Sequence, residues 1–183
     1  TGRGVVEYAG GSTGVSLAMV CAPKGYELSL VSSDAFSIEK RSQMEAFGAE
    51  LTLVPSADGR MDESLTRAMI DAARRIQERT GAFWTDQLNN AEQLPADHRM
   101  GEEIWAQTRG RVDAFVHSNG TAASSRGVSE ALHRRAPEIH CVAVEPSESA
   151  VLSGGASGAH KIEGVGAGFV VPLWDPSAID EIA

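Results

Sequence analysis

Short apolar runs alternate along the chain with longer stretches in which apolar residues recur every three or four positions. That alternation predicts buried strands separated by helices. The run Val5–Tyr8 reads as a strand, and 12-STGVSLAMVCAPKG-25 as a helix closed by Gly25. A strand over Glu27–Val31 follows, then a helix over Ser37–Phe47 carried by Ile38, Met44 and Phe47, with Gly48 placed to end it. Glu50–Val54 is strand-like. Asp62–Thr80 is the strongest amphipathic helix, with Leu65, Met69, Ile70, Ala73 and Ile76 on one face and Gly81 at its close. Ala82–Thr85 predicts a short strand, and the polar stretch Gln87–His98 a loop or domain crossing. A helix over Gly101–Thr108, a strand over Asp113–His117, a helix over Ser125–Arg135 and a strand over His140–Val144 come next. A glycine-rich loop, 153-SGGASGAHKIEGVGAG-168, precedes 179-IDEIA-183, which reads as the beginning of a helix.

This order predicts an α/β fold of parallel sheets with helices on both faces, three layers deep. The polar stretch divides it into two subdomains, 1–86 and 87–183. In such sheets ligands gather beyond the carboxyl ends of the strands. The strand-to-helix loops are therefore where chemistry is to be sought.

Charge and composition narrow the partners. A net charge of −9 and a pI near 5.0 exclude nucleic acid, which needs a basic face. No apolar run approaches the roughly 18 residues of a membrane helix, so no membrane partner is expected. No secretory signal is visible. Cys21 and Cys141 sit in the apolar segments 17-LAMVCA-22 and 139-IHCVAV-144, which predicts buried free thiols and fits a reducing cytoplasm. No metal-ligand motif is expected. The chain opens Thr-Gly-Arg-Gly and is apolar by Val5, so both ends read as cuts through a longer, here incomplete, protein.

Two strand-to-helix loops stand out, 7-EYAGGSTG-14 and 117-HSNGTAASSRG-127. Each sets glycines and hydroxyls at a helix start, where unpaired N–H groups and the helix dipole attract anions. The plain alternative is a tight turn with Ser12 or Ser125 as helix cap. Neither loop matches the phosphate loop of nucleotide hydrolases or the dinucleotide fingerprint. A pair of such loops points to a ligand with two anionic ends, or to two anionic ligands side by side.

The run of motifs resembles the cysteine synthase and cystathionine β-synthase family of fold-type-II pyridoxal-phosphate enzymes, whose fold is that of the tryptophan synthase β subunit. The stretch 7-EYAGGSTGVSLA-18 is similar to the family's Glu-Pro-Thr-Ser-Gly-Asn-Thr-Gly loop and helix. The segments 46-AFGAELTLVP-55, 101-GEEIW-105 and 144-VEPSESAVLSGGASGAHKIEGVGAGF-169 follow the family in order. The resemblance implies pyridoxal 5′-phosphate as cofactor, with its phosphate held by Gly120, Thr121, Ala122, Ala123 and Ser124. Two alanines stand where the family has glycines, and they lead us to expect negative φ there. Gly10, Gly11, Ser12 and Thr13, with Gln87, would bind the α-carboxylate of an amino-acid substrate. Ser12 replaces the family asparagine that contacts the cofactor ring. The 164-GVGAG-168 loop would line the cofactor's face.

By the same resemblance the smaller subdomain carries the substrate loop and the larger one the phosphate loop. The implied reaction is β-replacement on an O-activated serine in cysteine biosynthesis, by a cytoplasmic homodimer. The family's Schiff-base lysine would lie upstream of Thr1, and its serine near the pyridine nitrogen beyond Ala183. Lys24, Lys40 and Lys161 do not match that lysine, so no catalytic residue is expected within the chain and the chain alone is expected to be inactive. The contrasting expectation is a non-catalytic module that binds a phosphate- or carboxylate-bearing metabolite.

Overall fold

The computed structural model describes residues 4–183. Thr1 to Arg3 of the opening Thr-Gly-Arg-Gly lie outside the described residues. The chain forms two compact units. The first runs to Gln87 and also includes Gly158–Gly164; the second comprises Leu88–Ser157 and Val165–Ala183.

The first unit is built on a parallel sheet of order β3-β2-β1-β4, from β1 (Gly4–Tyr8), β2 (Glu27–Ser33), β3 (Glu50–Val54) and β4 (Phe83–Trp84). Its helices are α1 (Ser12–Lys24), α2 (Ile38–Ala46) and α3 (Glu63–Thr80). Leu30 and Val31 are successive strand residues, so they point to opposite faces, yet neither is exposed. Both faces of the sheet are therefore covered at β2, whose Ser32 and Ser33 are buried along with Leu30 and Val31. On one face Leu28 and Leu30 join Ala18, Cys21 and Met44 of α1 and α2 in a single cluster. The helix α3 packs on β1 and β2 with buried Leu65, Met69 and Ala73. Asp62 caps it by accepting from Leu65 N–H at 2.7 Å, and Gly81 closes it in the left-handed conformation. The segment around His160 is tied into this unit by paired backbone bonds with Met61 and by Glu163, which accepts from Ser37 N–H at 2.8 Å.

The second unit has the parallel order β5-β6-β7, with β5 (Ala114–Ser118), β6 (His140–Val144) and β7 (Glu181–Ile182). Its helices are α4 (Leu94–Gln107) and α5 (Ala123–Arg135). Val128 and Leu132 of α5 meet Ile139 and Cys141 in the core, joined by Ile104, Trp105 and Phe115. The two helices pass close: a side chain at Gly127 would meet Asp97 Cβ at 2.5 Å, so only glycine permits the approach. On the other face of β5, Val116 is 61% exposed.

Two expectations are corrected. The stretch Gln87–His98 is not loop throughout: a short 3-10 turn over Ala91–Gln93, capped by Asn90, leads into α4, which begins at Leu94. Pro95 sits in the first turn, where its missing N–H costs nothing, so the proline starts the helix rather than excluding it. The final residues are not a helix start but β7, because Asp180 is locked to β6. Its N–H donates to Cys141 O at 2.9 Å and its carboxylate accepts from Cys141 N–H at 2.8 Å. Both cysteines are buried and free. Among the described residues no helix is long and apolar enough to cross a membrane.

Candidate functional site

The first loop, Ala9–Gly11, leaves the carboxyl end of β1 and enters α1. Gly11 is the residue before the helix, and no side chain caps it. Ser12, one of the two candidate caps, is instead the exposed first residue of α1. A side chain on Gly11 would meet nothing within 4 Å, so this glycine faces open space. Gly10 is the reverse: a Cβ there would lie 2.0 Å from the Phe36 ring. The loop is thus closed on its Gly10 side by a buried aromatic and open on its Gly11 side. Thr13 is partly exposed in the first turn.

Beneath this loop lies a carboxylate that sequence reading passed over. Glu7 is fully buried. Its Oε1 accepts from Tyr8 N–H at 3.0 Å and Trp84 Nε1–H at 3.1 Å, and its Oε2 from Thr85 Oγ1 at 2.5 Å and Gln87 N–H at 3.0 Å. Burial pushes the carboxyl up from its usual value, and these donors oppose the rise. Glu7 therefore pins the segment Trp84–Gln87 to the end of β1. The side chain of Gln87 then donates through Nε2 to Tyr8 O at 2.7 Å. Burial, and after it the carboxylates of Glu7 and Asp86, push the Tyr8 phenol far up, so it stays neutral.

The second loop, Asn119–Ala122, leaves β5 and enters α5. Here too no side chain caps the helix. Ser125, the other candidate cap, turns away, donating to Asn119 Oδ1 at 2.5 Å and lying 3.0 Å from Ala122 O. Asn119 is only 4% exposed and its Nδ2 has no protein partner. A helix start with no capping side chain at Ala122, beside an orphaned buried amide, offers N–H donors that suit an anion. The methyl groups of Ala122 and Ala123 are buried and leave the exposed side of the loop clear. Thr121 Oγ1 accepts from Ala123 N–H at 3.4 Å, and Gly166 N–H donates to Asn119 O at 3.0 Å, which brings Gly166 onto this loop.

The expectation of negative φ at both alanines fails at Ala122, which sits at φ 64. Its carbonyl accepts from Arg126 N–H at 3.0 Å and its methyl is buried, so the surroundings impose the left-handed turn. Ser124 bonds to His117 Nε2 at 2.8 Å. Burial lowers the pKa of His117, and the Asp97 charge raises it in part.

Two other features of this unit lie apart from the loop. A cavity of about 480 Å³ lined by Trp105, Arg111, Asp113 and Glu138 adjoins the amino end of β5, opposite to where parallel sheets bind ligands. His133, Cys141 and Asp180 bring possible ligand atoms within 4.8 Å of one another. His133 Nε2 is already engaged by Ile139 O at 2.9 Å, and Asp180 Oδ2 by Cys141 N–H.

The profile of the family described as "Pyridoxal-phosphate dependent enzyme" matches residues 1–183. This chain belongs to that family. It is 36% identical to a cysteine synthase of Staphylococcus aureus over 99% of its own length and 57% of the relative's. The solved cysteine synthase of Entamoeba histolytica superposes with a TM-score of 0.87 at 35% identity, over 99% of this chain and 52% of that one. A hydrogen sulfide-producing enzyme of Fusobacterium nucleatum gives 0.90 at 31% identity, over 99% and 60%. The fold is that of the fold-type-II pyridoxal-phosphate enzymes, and the chain spans just over half the length of the relatives it matches.

Within this family member, the expected residues fall into two groups. Gly10, Gly11, Ser12, Thr13 and Gln87 come together around the end of β1 in the first unit. Gly120, Thr121, Ala122, Ala123 and Ser124 form the start of α5 in the second. Glu7, Asn119 and His117 were missed. A charged residue in an apolar strand was the one visible signal for Glu7, because buried carboxylates are rare without a partner.

Proposed function

We propose that the chain carries the two anion-binding loops of a pyridoxal-phosphate enzyme of the cysteine synthase type. The reaction is replacement of the β-substituent of an O-activated serine by a sulfur nucleophile, within cysteine biosynthesis. The observation that supports it most directly is the start of α5, uncapped and beside the orphaned Asn119 amide. Gly120 to Ser124 would hold the cofactor phosphate through main-chain N–H groups and the Thr121 and Ser124 hydroxyls. That set fits a phosphate dianion, since it offers main-chain and hydroxyl donors together with the positive end of a helix dipole.

Gly10 to Thr13 would take the substrate α-carboxylate at the start of α1, where the open side of Gly11 lets the ligand approach the main chain. Gln87, fixed by Glu7 and Tyr8 O, would orient the same carboxylate. Ser12, shorter than the family asparagine, would reach the cofactor ring only with its hydroxyl, donating or accepting. When bound, the cofactor supplies an electron-poor ring that takes up the electron pair released at the substrate α-carbon. The residues of this chain contribute binding, orientation and a fixed anionic anchor. We extend the reading to a cytoplasmic homodimer.

The test has two parts. Equilibrium dialysis of pyridoxal phosphate against the chain should show saturable binding that weakens by about tenfold or more in Thr121→Val/Ser124→Ala, since hydrogen bonds to charged groups are the strong ones. The full reading frame, given O-acetylserine and sulfide, should form cysteine. Binding indifferent to the two substitutions, or no cysteine formed, overturns the reading.

A further inference from the structure

Behind the phosphate loop stands an imidazole that the proposed function does not use. His117 is the fourth residue of β5, half-buried, and its ring stacks on Phe115 with centroids 5.6 Å apart and planes 20° apart. Phe115, itself partly buried, packs against the core cluster, so the imidazole is braced on that side. Its Nε2 lies 2.8 Å from Ser124 Oγ, the hydroxyl assigned to the phosphate. The groups around it are few. Its register partner on β6 is Ala143, which carries no charge, and α5 offers Ser124. From α4 comes Asp97, whose charge acts on His117 and whose neighbour His98 is tied to Glu130 at 2.6 Å.

We propose that His117 is a proton-linked positioning residue for the anion loop: through its bond to Ser124 it decides whether that hydroxyl can donate to a bound anion. The proposal rests on the reading of 120–124 as an anion site. A serine hydroxyl has one hydrogen. When His117 Nε2 is bare, Ser124 donates to it and shows an anion only lone pairs. When Nε2 carries a proton, His117 donates and the Ser124 hydrogen is released toward the anion. In the cation, moreover, Nε2 is always a donor, and a positive charge then stands one hydrogen bond behind the loop. Binding is reciprocal: whatever protonation of His117 adds to anion affinity, the anion adds to the proton affinity of His117. Anion affinity therefore rises as pH falls through the His117 range. The same logic makes Asp97 a supporting charge, because it favours the cation.

Sulfate is the probe, since it stays doubly charged from pH 5.5 to 8.5 while a phosphate ester does not. The measurement follows the His117 imidazole resonance through a pH titration with and without sulfate, alongside calorimetric sulfate affinity at each pH. Expected are a His117 midpoint raised by about one pH unit on saturation and an affinity that rises by roughly tenfold toward low pH, at the low end of couplings between sites. His117→Gln should bind sulfate with a flat pH profile. Ser124→Ala should keep a titrating His117 that sulfate moves much less, which separates the link from a general field effect. Sulfate that shifts the Gly120–Ser124 amide resonances but leaves the His117 midpoint unmoved overturns the link and spares the anion site. Amide resonances that do not respond at all overturn both.

Discussion

Gly10→Ala isolates one packing contact in the first loop. Gly10 is not among the residues at positive φ, so alanine can adopt its backbone, and the added methyl is the whole perturbation. That methyl would sit 2.0 Å from Phe36 Cε1 and Cζ, against an ordinary contact of about 3.4 Å or more. The ring or the loop must yield by well over an ångström. Phe36 is 6% exposed, so the ring has little free space to turn into. Overpacking of this kind costs about 1–3 kcal/mol. Phe36→Ala alone deletes a buried ring and costs about 3–5 kcal/mol. In the double variant the methyl occupies part of the space the ring vacated, so the Gly10→Ala penalty disappears and the coupling equals it with opposite sign, about −1 to −3 kcal/mol.

Urea unfolding of the four proteins of the cycle measures all of this, provided the slope with denaturant is unchanged among them. A Gly10→Ala penalty below about 0.5 kcal/mol, the range of neutral surface changes, refutes the steric argument. So does a penalty that persists undiminished in the Phe36→Ala background, because it would then arise from the main chain rather than the ring.

Other outcomes follow from the same geometry. Glu7 has a folded-state pKa above its unfolded value, so the folded protein holds the proton more tightly. Its contribution to stability is complete below the unfolded value and is lost as pH rises through the folded one; Glu7→Gln should flatten the fall of urea midpoint with pH over that window. Retention of the slope in the variant would assign it elsewhere. Ala122→Gly gains about 1–2 kcal/mol from relief of the left-handed conformation. It loses roughly the same from unfolded-chain entropy and a buried methyl. Ala123→Gly has the losses without the relief and should be the less stable of the two by about 1 kcal/mol, read as a lower unfolding midpoint. Gln87→Ala should weaken carboxylate binding in the full reading frame by about tenfold, read as a raised KM for the amino acid, because a hydrogen bond to a charged group is lost.

The elements that sequence made legible are those whose signal is local. The helix α3 carries its apolar stripe, its Asp62 cap and its Gly81 close within twenty or so residues of chain, and it forms where expected. The two strand-to-helix loops were legible for the same reason: glycines and hydroxyls stand next to a strand end. What sequence did not show depends on partners far along the chain. Glu7 meets Trp84, Thr85 and Gln87, 77 to 80 residues away, and nothing in 5-VVEY-8 announces them. The sheet pairing of β7 is likewise decided by β6, forty residues earlier, and not by 179-IDEIA-183 itself.

The alanines of the second loop show where that boundary runs. A main-chain N–H donates whatever side chain its residue bears, so replacing glycine by alanine leaves the donors in place. What changes is the space a methyl needs and the φ it tolerates, and both are settled by neighbours. At Ala122 and Ala123 the methyls turn into the protein, and Arg126 N–H holds the Ala122 carbonyl against the conformational preference of alanine. At Gly10 the Phe36 ring already fills the corresponding space, so the same methyl has nowhere to go. Departures from a family's loop pattern are therefore judged by what packs behind the loop, and the direction of its main-chain donors follows from the backbone path that this packing enforces.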